Sequence, residues 1–185
     1  GPSGSGKSTL LHLMAGLELP TSGQVTWPSF STNAAERAQD TGVVFQSPSL
    51  VPALDVAENT GLALVLAWLH EQECAERVAE ALDLVGMSSL SGKLPEELSG
   101  GQAQRIAVAR VLAQRPRLIL ADEPTGQLDH ATGQHLIDVL LAATAHIGAA
   151  LVVTTHDQSV LERLATHWTM HEGQLQTTTT QGVLS

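Results

Sequence analysis

The chain has 185 residues, 43% hydrophobic and 15% charged, which excludes disorder and fits one globular domain of about 100–200 residues. Nineteen acidic against nine basic side chains give a formal charge of -10, which argues against nucleic acid as a partner, because phosphate neutralisation needs a basic face. A single cysteine, Cys74, excludes an internal disulfide, and the longest apolar run, Gly61–Leu69, is about half of the roughly 20 residues of a membrane span.

Apolar spacing predicts a helix from Lys7 to Gly16, directly after a glycine-rich stretch. Gln24–Trp27 and Gly42–Phe45 read as short strands, with a polar stretch of loop and some helix between Ser29 and Asp40. Asp55–Leu69 and Glu71–Val85 read as helices. In the second, Cys74, Val78, Ala81, Leu82 and Val85 share one face, opposite Glu73, Glu76, Arg77 and Glu80. Cys74 is therefore a packing residue, and Trp68, beside the apolar run, is placed in the core ahead of a partner surface. Gly100–Gln114 is a helix stopped by Pro116. Leu118–Ala121 is wholly apolar, as in a parallel strand covered on both faces. Then come a helix (Ala131–Ala145), a buried strand (Ala149–Thr154) and a helix (Gln158–Ala165). Thr166–His171 and Gln174–Leu175 read as a closing hairpin around Gly173, and the tail Thr177–Ser185 as frayed. His167 and His171 fall on a strand, where their spacing argues against a metal pair; His130 and His135 fall on a helix surface. Alternating strands and helices predict an α/β fold with a largely parallel sheet. The helices at about 50–98 form an inserted α-helical subdomain within one domain, 1–185.

Three stretches carry chemistry. Residues 1–9 read GPSGSGKST, which fits G-x-x-x-x-G-K-[ST]. Gly1, Ser3, Gly4, Ser5 and Gly6 let backbone N–H groups turn inward on a polyphosphate. The helix that begins with Lys7, Ser8 and Thr9 points its positive end at the same charge. Lys7 reaches the β/γ-phosphates, and Ser8 places a hydroxyl on Mg²⁺. The rival reading is a flexible terminal tag, but a tag would not continue as KSTLLHLMAG at helical period. Arg117–Glu123 is an apolar strand ending in two carboxylates. Asp122 is placed to hold Mg²⁺ through its water shell, and Glu123 to orient and deprotonate a water. The rival is an acidic junction before Pro124. Leu98–Gln102, LSGGQ, is a second Ser-Gly-Gly helix start that suits an anion; its rival is an ordinary serine cap.

In this order, the phosphate loop, LSGGQ and LILADEP resemble the ATPase subunit of an ABC transporter, a P-loop NTPase. The resemblance covers nearly the whole chain. It implies ATP and Mg²⁺ as ligands. Gln46 in VVFQSPSL is similar to the family's glutamine that touches Mg²⁺ and the attacking water and senses the membrane subunit. Asp129 is similar to the D-loop aspartate, and His156 in VVTTHD to the switch histidine on the γ-phosphate. The resemblance further implies a head-to-tail dimer, with ATP between the phosphate loop of one copy and Ser99, Gly100, Gly101 and Gln102 of the other. A transmembrane permease subunit would hold the chain at the cytoplasmic, inner face of the cell membrane, docked on Val51–Leu69. ADEPTG followed by LD, together with the first 23 residues, is most similar to the lipoprotein-releasing and macrolide-exporter branch. Ala103 and Gln127 depart from the family pattern. About 30 residues that usually precede the phosphate loop, with a strand and an adenine-stacking aromatic, have no counterpart. Weak ATP binding and marginal folding of this chain alone are therefore expected. A soluble ABC-type ATPase and a truncated fragment remain the alternatives.

Overall fold

The structure, a computed structural model, describes residues 1–177. Its centre is a three-stranded parallel sheet, with β2 (Leu118–Asp122) between β1 (Thr41–Val44) and β3 (Ala150–Thr154). The register pairs Val44 with Ala121 and Asp122 with Thr154. Ile119, Leu120 and Ala121 are fully buried, which is why this strand is apolar without alternation. Ile119 and Ala121 join the large helical core. Period-two geometry turns Leu120 to the other face.

The helix α1 (Lys7–Ala15) packs on all three strands. A short helix, α2 (Ala34–Asp40), runs directly into β1. The next helices, α3 (Val56–Leu66), α4 (Glu71–Leu84) and α5 (Gly100–Ala113), pack on one another, and α5 also meets β1 and the long α6 (His130–Ile147). One hydrophobic cluster runs through all of these, from Val56 and Leu82 to Ile106, Ile119 and Leu136, and Cys74 packs against its edge. The short α7 (Gln158–Leu161) precedes an antiparallel hairpin of β4 (Trp168–His171) and β5 (Gln174–Thr177). Among the described residues the outer edge of β3 is unpaired. It borders a groove of about 560 Å³, lined on its other walls by Leu10, Met14, Leu161 and Met170. Among the described residues no helix is long and apolar enough to cross a membrane.

The fold differs from the sequence expectations at several places. The strand expected to be buried at Ala149–Thr154 is β3, exposed at Ala150 and only half-buried beyond it, because among the described residues it lies at the sheet edge. Gln24–Trp27 is not a strand. Trp27 is held instead by side-chain contacts, its indole N–H donating to Met14 O at 2.8 Å and its ring lying under the Arg37 guanidinium. Trp68 is not in the core but 93% exposed, with φ +59°. It occupies the left-handed position of a wrapped helix end, in which Leu69 N–H returns to Leu64 O and Leu69 packs inward in its place. Lastly, the helix at Gln158 ends at Leu161 rather than Ala165. Its following bonds tighten to the i→i+3 type, and the carbonyls of Leu161 and Leu164 face the His167 ring at 2.6 and 2.9 Å. Of the tail Thr177–Ser185 expected to fray, Thr177 is instead the last residue of β5, paired with Trp168, and 178–185 lie outside the described residues.

Candidate functional site

The glycine loop closes on its own lysine. Gly6 sits at φ +98°, a conformation open to glycine, and leads into α1 without a side-chain cap. The first N–H groups of α1 therefore have no intrahelical partner. Lys7 donates to the carbonyls of Gly1 at 3.0 Å and Pro2 at 2.9 Å. The loop is braced from outside by the hairpin, where Gly173 N–H donates to Ser5 O at 3.1 Å. The buried Ser5 hydroxyl has no hydrogen-bond partner among the described residues. Ser3, Gly4, Ser8 and Thr9 are exposed.

The two carboxylates at the end of β2 face this loop. Asp122, buried, accepts from the Ser8 hydroxyl at 3.0 Å and from the Thr154 hydroxyl on β3. Glu123 has φ +42°, which turns it off the strand axis. Its carboxylate stands 3.5 Å from the Lys7 ammonium and 3.2 Å from His156 Nδ1. His156 itself is exposed. Five predicted residues are thus one contiguous polar set: Lys7, Ser8, Asp122, Glu123 and His156. Gln46, exposed, makes no hydrogen bond to these five among the described residues. Its amide lies against Gly126, where a Cβ would come within 2.9 Å of Nε2, rather than on the Asp122 carboxylate.

The LSGGQ segment is elsewhere. Ser99 caps α5: its hydroxyl accepts from Gln102 N–H at 3.3 Å, while Ser99 N–H donates to Gln102 Oε1 at 2.8 Å. This is a reciprocal capping box, so within one copy the ordinary serine cap is what forms. Gly101 packs so closely on α6 that a Cβ would collide with Thr132 Cγ2. Thr132 also holds Asp129, the cap of α6, through its hydroxyl at 2.6 Å and its N–H at 3.1 Å. These bonds hold the Asp129 carboxyl below its ordinary value. Gly100 lies near Leu128, so Ser99–Gln102 and Asp129 share one face. No hydrogen bond or ion pair among the described residues joins that face to Lys7, Ser8 or Glu123.

Three residues escaped the sequence reading. Buried Gln104 on α5 donates to Phe45 O at 2.9 Å, and Arg110 donates to Ser49 O at 2.9 Å and Pro48 O at 3.1 Å. Together they tie the Gln46 loop to the helix that begins at LSGGQ. Burial lowers the Arg110 pKa. The third is Thr154. Its only sequence signal is a polar residue ending an apolar strand.

A glycine loop entering a helix, with a lysine that meets an acidic strand end on a parallel sheet, defines a P-loop nucleotide-hydrolysing domain. The comparisons give the family. Residues 1–126 match the family model described as ABC transporter, and the chain belongs to the ABC transporter family. A lipoprotein-releasing system ATP-binding protein, LolD, of Legionella pneumophila (strain Lens) is 42% identical, over 95% of this chain and 80% of its own. An uncharacterised ABC transporter ATP-binding protein of Mycobacterium tuberculosis is 44% identical over 88% of this chain and 68% of its own. Among solved structures, the dimeric ATP-binding cassette MJ0796 in a post-hydrolysis state with ADP and phosphate superposes with a TM-score of 0.80 at 33% identity, covering 95% of this chain and 82% of that one. The cassette cbiO1 of Clostridium perfringens, part of the ABC transporter complex cbiONQ, has a TM-score of 0.84 at 30% identity, covering 95% of this chain and 72% of that one.

Proposed function

We propose that this chain is the ATP-binding and ATP-hydrolysing subunit that powers a transporter of the lipoprotein-releasing type. The observation that carries the reading is the polar set around the phosphate loop: Lys7 against Glu123, Glu123 against His156, and Ser8 against Asp122. The loop fits a polyphosphate. It has uncapped helix N–H groups, a lysine resting on carbonyls that an anion can replace, and a buried Ser5 hydroxyl without a partner among the described residues. The Ser8 hydroxyl and Asp122 carboxylate are hard oxygen donors side by side, the chemistry Mg²⁺ requires, and Gln46 is the third candidate for that ion. Mg²⁺, when bound, neutralises phosphate charge.

Gly1, Ser3, Gly4, Ser5, Gly6, Lys7, Ser8 and Thr9 bind the phosphates of ATP. Glu123 accepts a proton from a water as that water attacks the γ-phosphorus, and the bond to the β-phosphate oxygen breaks to release ADP and phosphate. Lys7 and His156 hold the Glu123 carboxylate from two sides, and His156 faces the γ-phosphate. Ser99, Gly100, Gly101 and Gln102, with Asp129, act in trans in a head-to-tail pair of copies. That arrangement is supported by the lack, among the described residues, of any hydrogen bond or ion pair from these residues to Lys7 within one copy, and by the dimeric cassettes among the solved structures. The α-helical subdomain at about 50–98 and the Gln46 loop face a transmembrane permease, which keeps the chain at the cytoplasmic face of the membrane.

The test is ATP turnover and ATP binding by Glu123→Gln. Hydrolysis is expected to fall by about 10²–10⁴-fold, the usual contribution of a general base, with ATP binding retained. Parental turnover would falsify the assignment of Glu123.

A further inference from the structure

We propose that Thr154 is a positioning residue for ATP hydrolysis: its hydroxyl sets the Asp122–Glu123 pair at the end of β2. The inference rests on the reading that these two carboxylates hold the metal and activate water. Thr154 is the register partner of Asp122 across β2 and β3. Its hydroxyl donates to Asp122 Oδ1 at 2.5 Å and accepts from Glu123 N–H at 3.1 Å. The same N–H also reaches Thr154 O at 3.0 Å. One side chain therefore touches both members of the pair and takes no part in the cluster formed by Lys7 and His156.

Two consequences follow from this geometry. Asp122 Oδ1 is held between two hydroxyls, Ser8 and Thr154. Ser8 is exposed on the loop that meets the ligand, whereas Thr154 is on the sheet. When Ser8 turns to a ligand, Thr154 is the hydroxyl that keeps the carboxylate from rotating. Glu123, in turn, holds an uncommon positive φ of +42°, and such a conformation persists only when its surroundings over-determine it. The bifurcated bond from its N–H to both oxygens of Thr154 is a local restraint of that kind. A valine would fill the same volume and suit the strand, so the fold does not require this hydroxyl for packing.

The experiment compares Thr154→Val and Thr154→Ser in the full-length protein. Thr154→Val is expected to melt close to the parent. Its kcat is expected to fall about tenfold, the weight of one hydrogen bond to a charged group, with the KM for ATP little changed. Mn²⁺ binding with ATP, followed by electron paramagnetic resonance in a Glu123→Gln background, is expected to weaken several-fold. Thr154→Ser, which keeps the hydroxyl, should restore both. Parental kcat and Mn²⁺ binding in Thr154→Val overturn the inference. So does a Thr154→Ser variant as impaired as the valine, since packing would then be the cause. Glu123→Gln separates the two levels. If it is inactive while Thr154→Val is parental, only the positioning role falls; if Glu123→Gln is itself parental, the underlying reading falls.

Discussion

The phosphate loop and the LSGGQ segment are both serine–glycine helix starts, but their surroundings differ. Around the loop, side chains from three distant stretches converge: Lys7 and Ser8, Asp122 and Glu123, Thr154 and His156. Around LSGGQ the polar groups are satisfied locally, Ser99 by Gln102 and Asp129 by Thr132. The first region is assembled within one copy. The second is preshaped but self-contained, which suits a surface offered to another molecule. The difference teaches that an anion-binding helix start becomes a reaction site only when tertiary structure brings charge to it.

The contrast between the two helix starts is largest at Lys7. Lys7→Ala should weaken ATP binding by roughly tenfold to a hundredfold, the worth of hydrogen bonds to a charged group, as read by nucleotide titration. Mixing Lys7→Ala copies with Ser99→Gly copies should then recover hydrolysis that neither shows alone, because a mixed head-to-tail pair retains one intact site. No recovery would mean that LSGGQ does not act in trans.

Next in size is Gly101→Ala. The new methyl meets Thr132 Cγ2, and overpacking of this kind costs about 1–3 kcal/mol. Denaturant midpoints measure it, and a neutral result would show that α5 and α6 separate easily. Ser99→Ala should cost about 1 kcal/mol by loss of the cap, whereas Ser99→Gly should cost only a few tenths. A stable but hydrolytically impaired Ser99→Gly would divide the capping role from the role in trans.

The smallest effect is a pH dependence. Thr132, through its hydroxyl first and then its N–H, holds the Asp129 carboxyl below its ordinary value. A lowered carboxyl pKa contributes stability that is present above the ordinary value and lost as pH falls through the folded one. Acid unfolding of Asp129→Asn should therefore begin from a slightly less stable state near neutrality and lose less between pH 4 and lower values, as followed by circular dichroism at roughly 0.1 M salt. An unchanged acid limb would remove Asp129 as a contributor.

Much of the site was legible in the sequence because its parts are local. The loop, its lysine and the serine after it lie within nine residues. An apolar strand ending in Asp122 and Glu123 announces itself by hydropathy, and the Ser99–Gln102 capping box by its three-residue spacing. Strand Gln24–Trp27 failed for a long-range reason: a strand needs a paired edge, and Trp27 found a helix carbonyl and an arginine instead. Trp68 failed because an apolar run does not say which residue the helix end turns outward.

The sequence by itself determined the class of chemistry, since phosphate binding at a helix start and carboxylates after a buried strand depend on neighbours along the chain. Tertiary structure alone decided the partnerships. That Glu123 lies between Lys7 and His156, and that Thr154 reaches both carboxylates, follows from the parallel register of β2 and β3 and from the seat of α1 on the sheet. Hydrogen bonds act over about 3 Å, and only folding brings residues so distant in the chain within that reach.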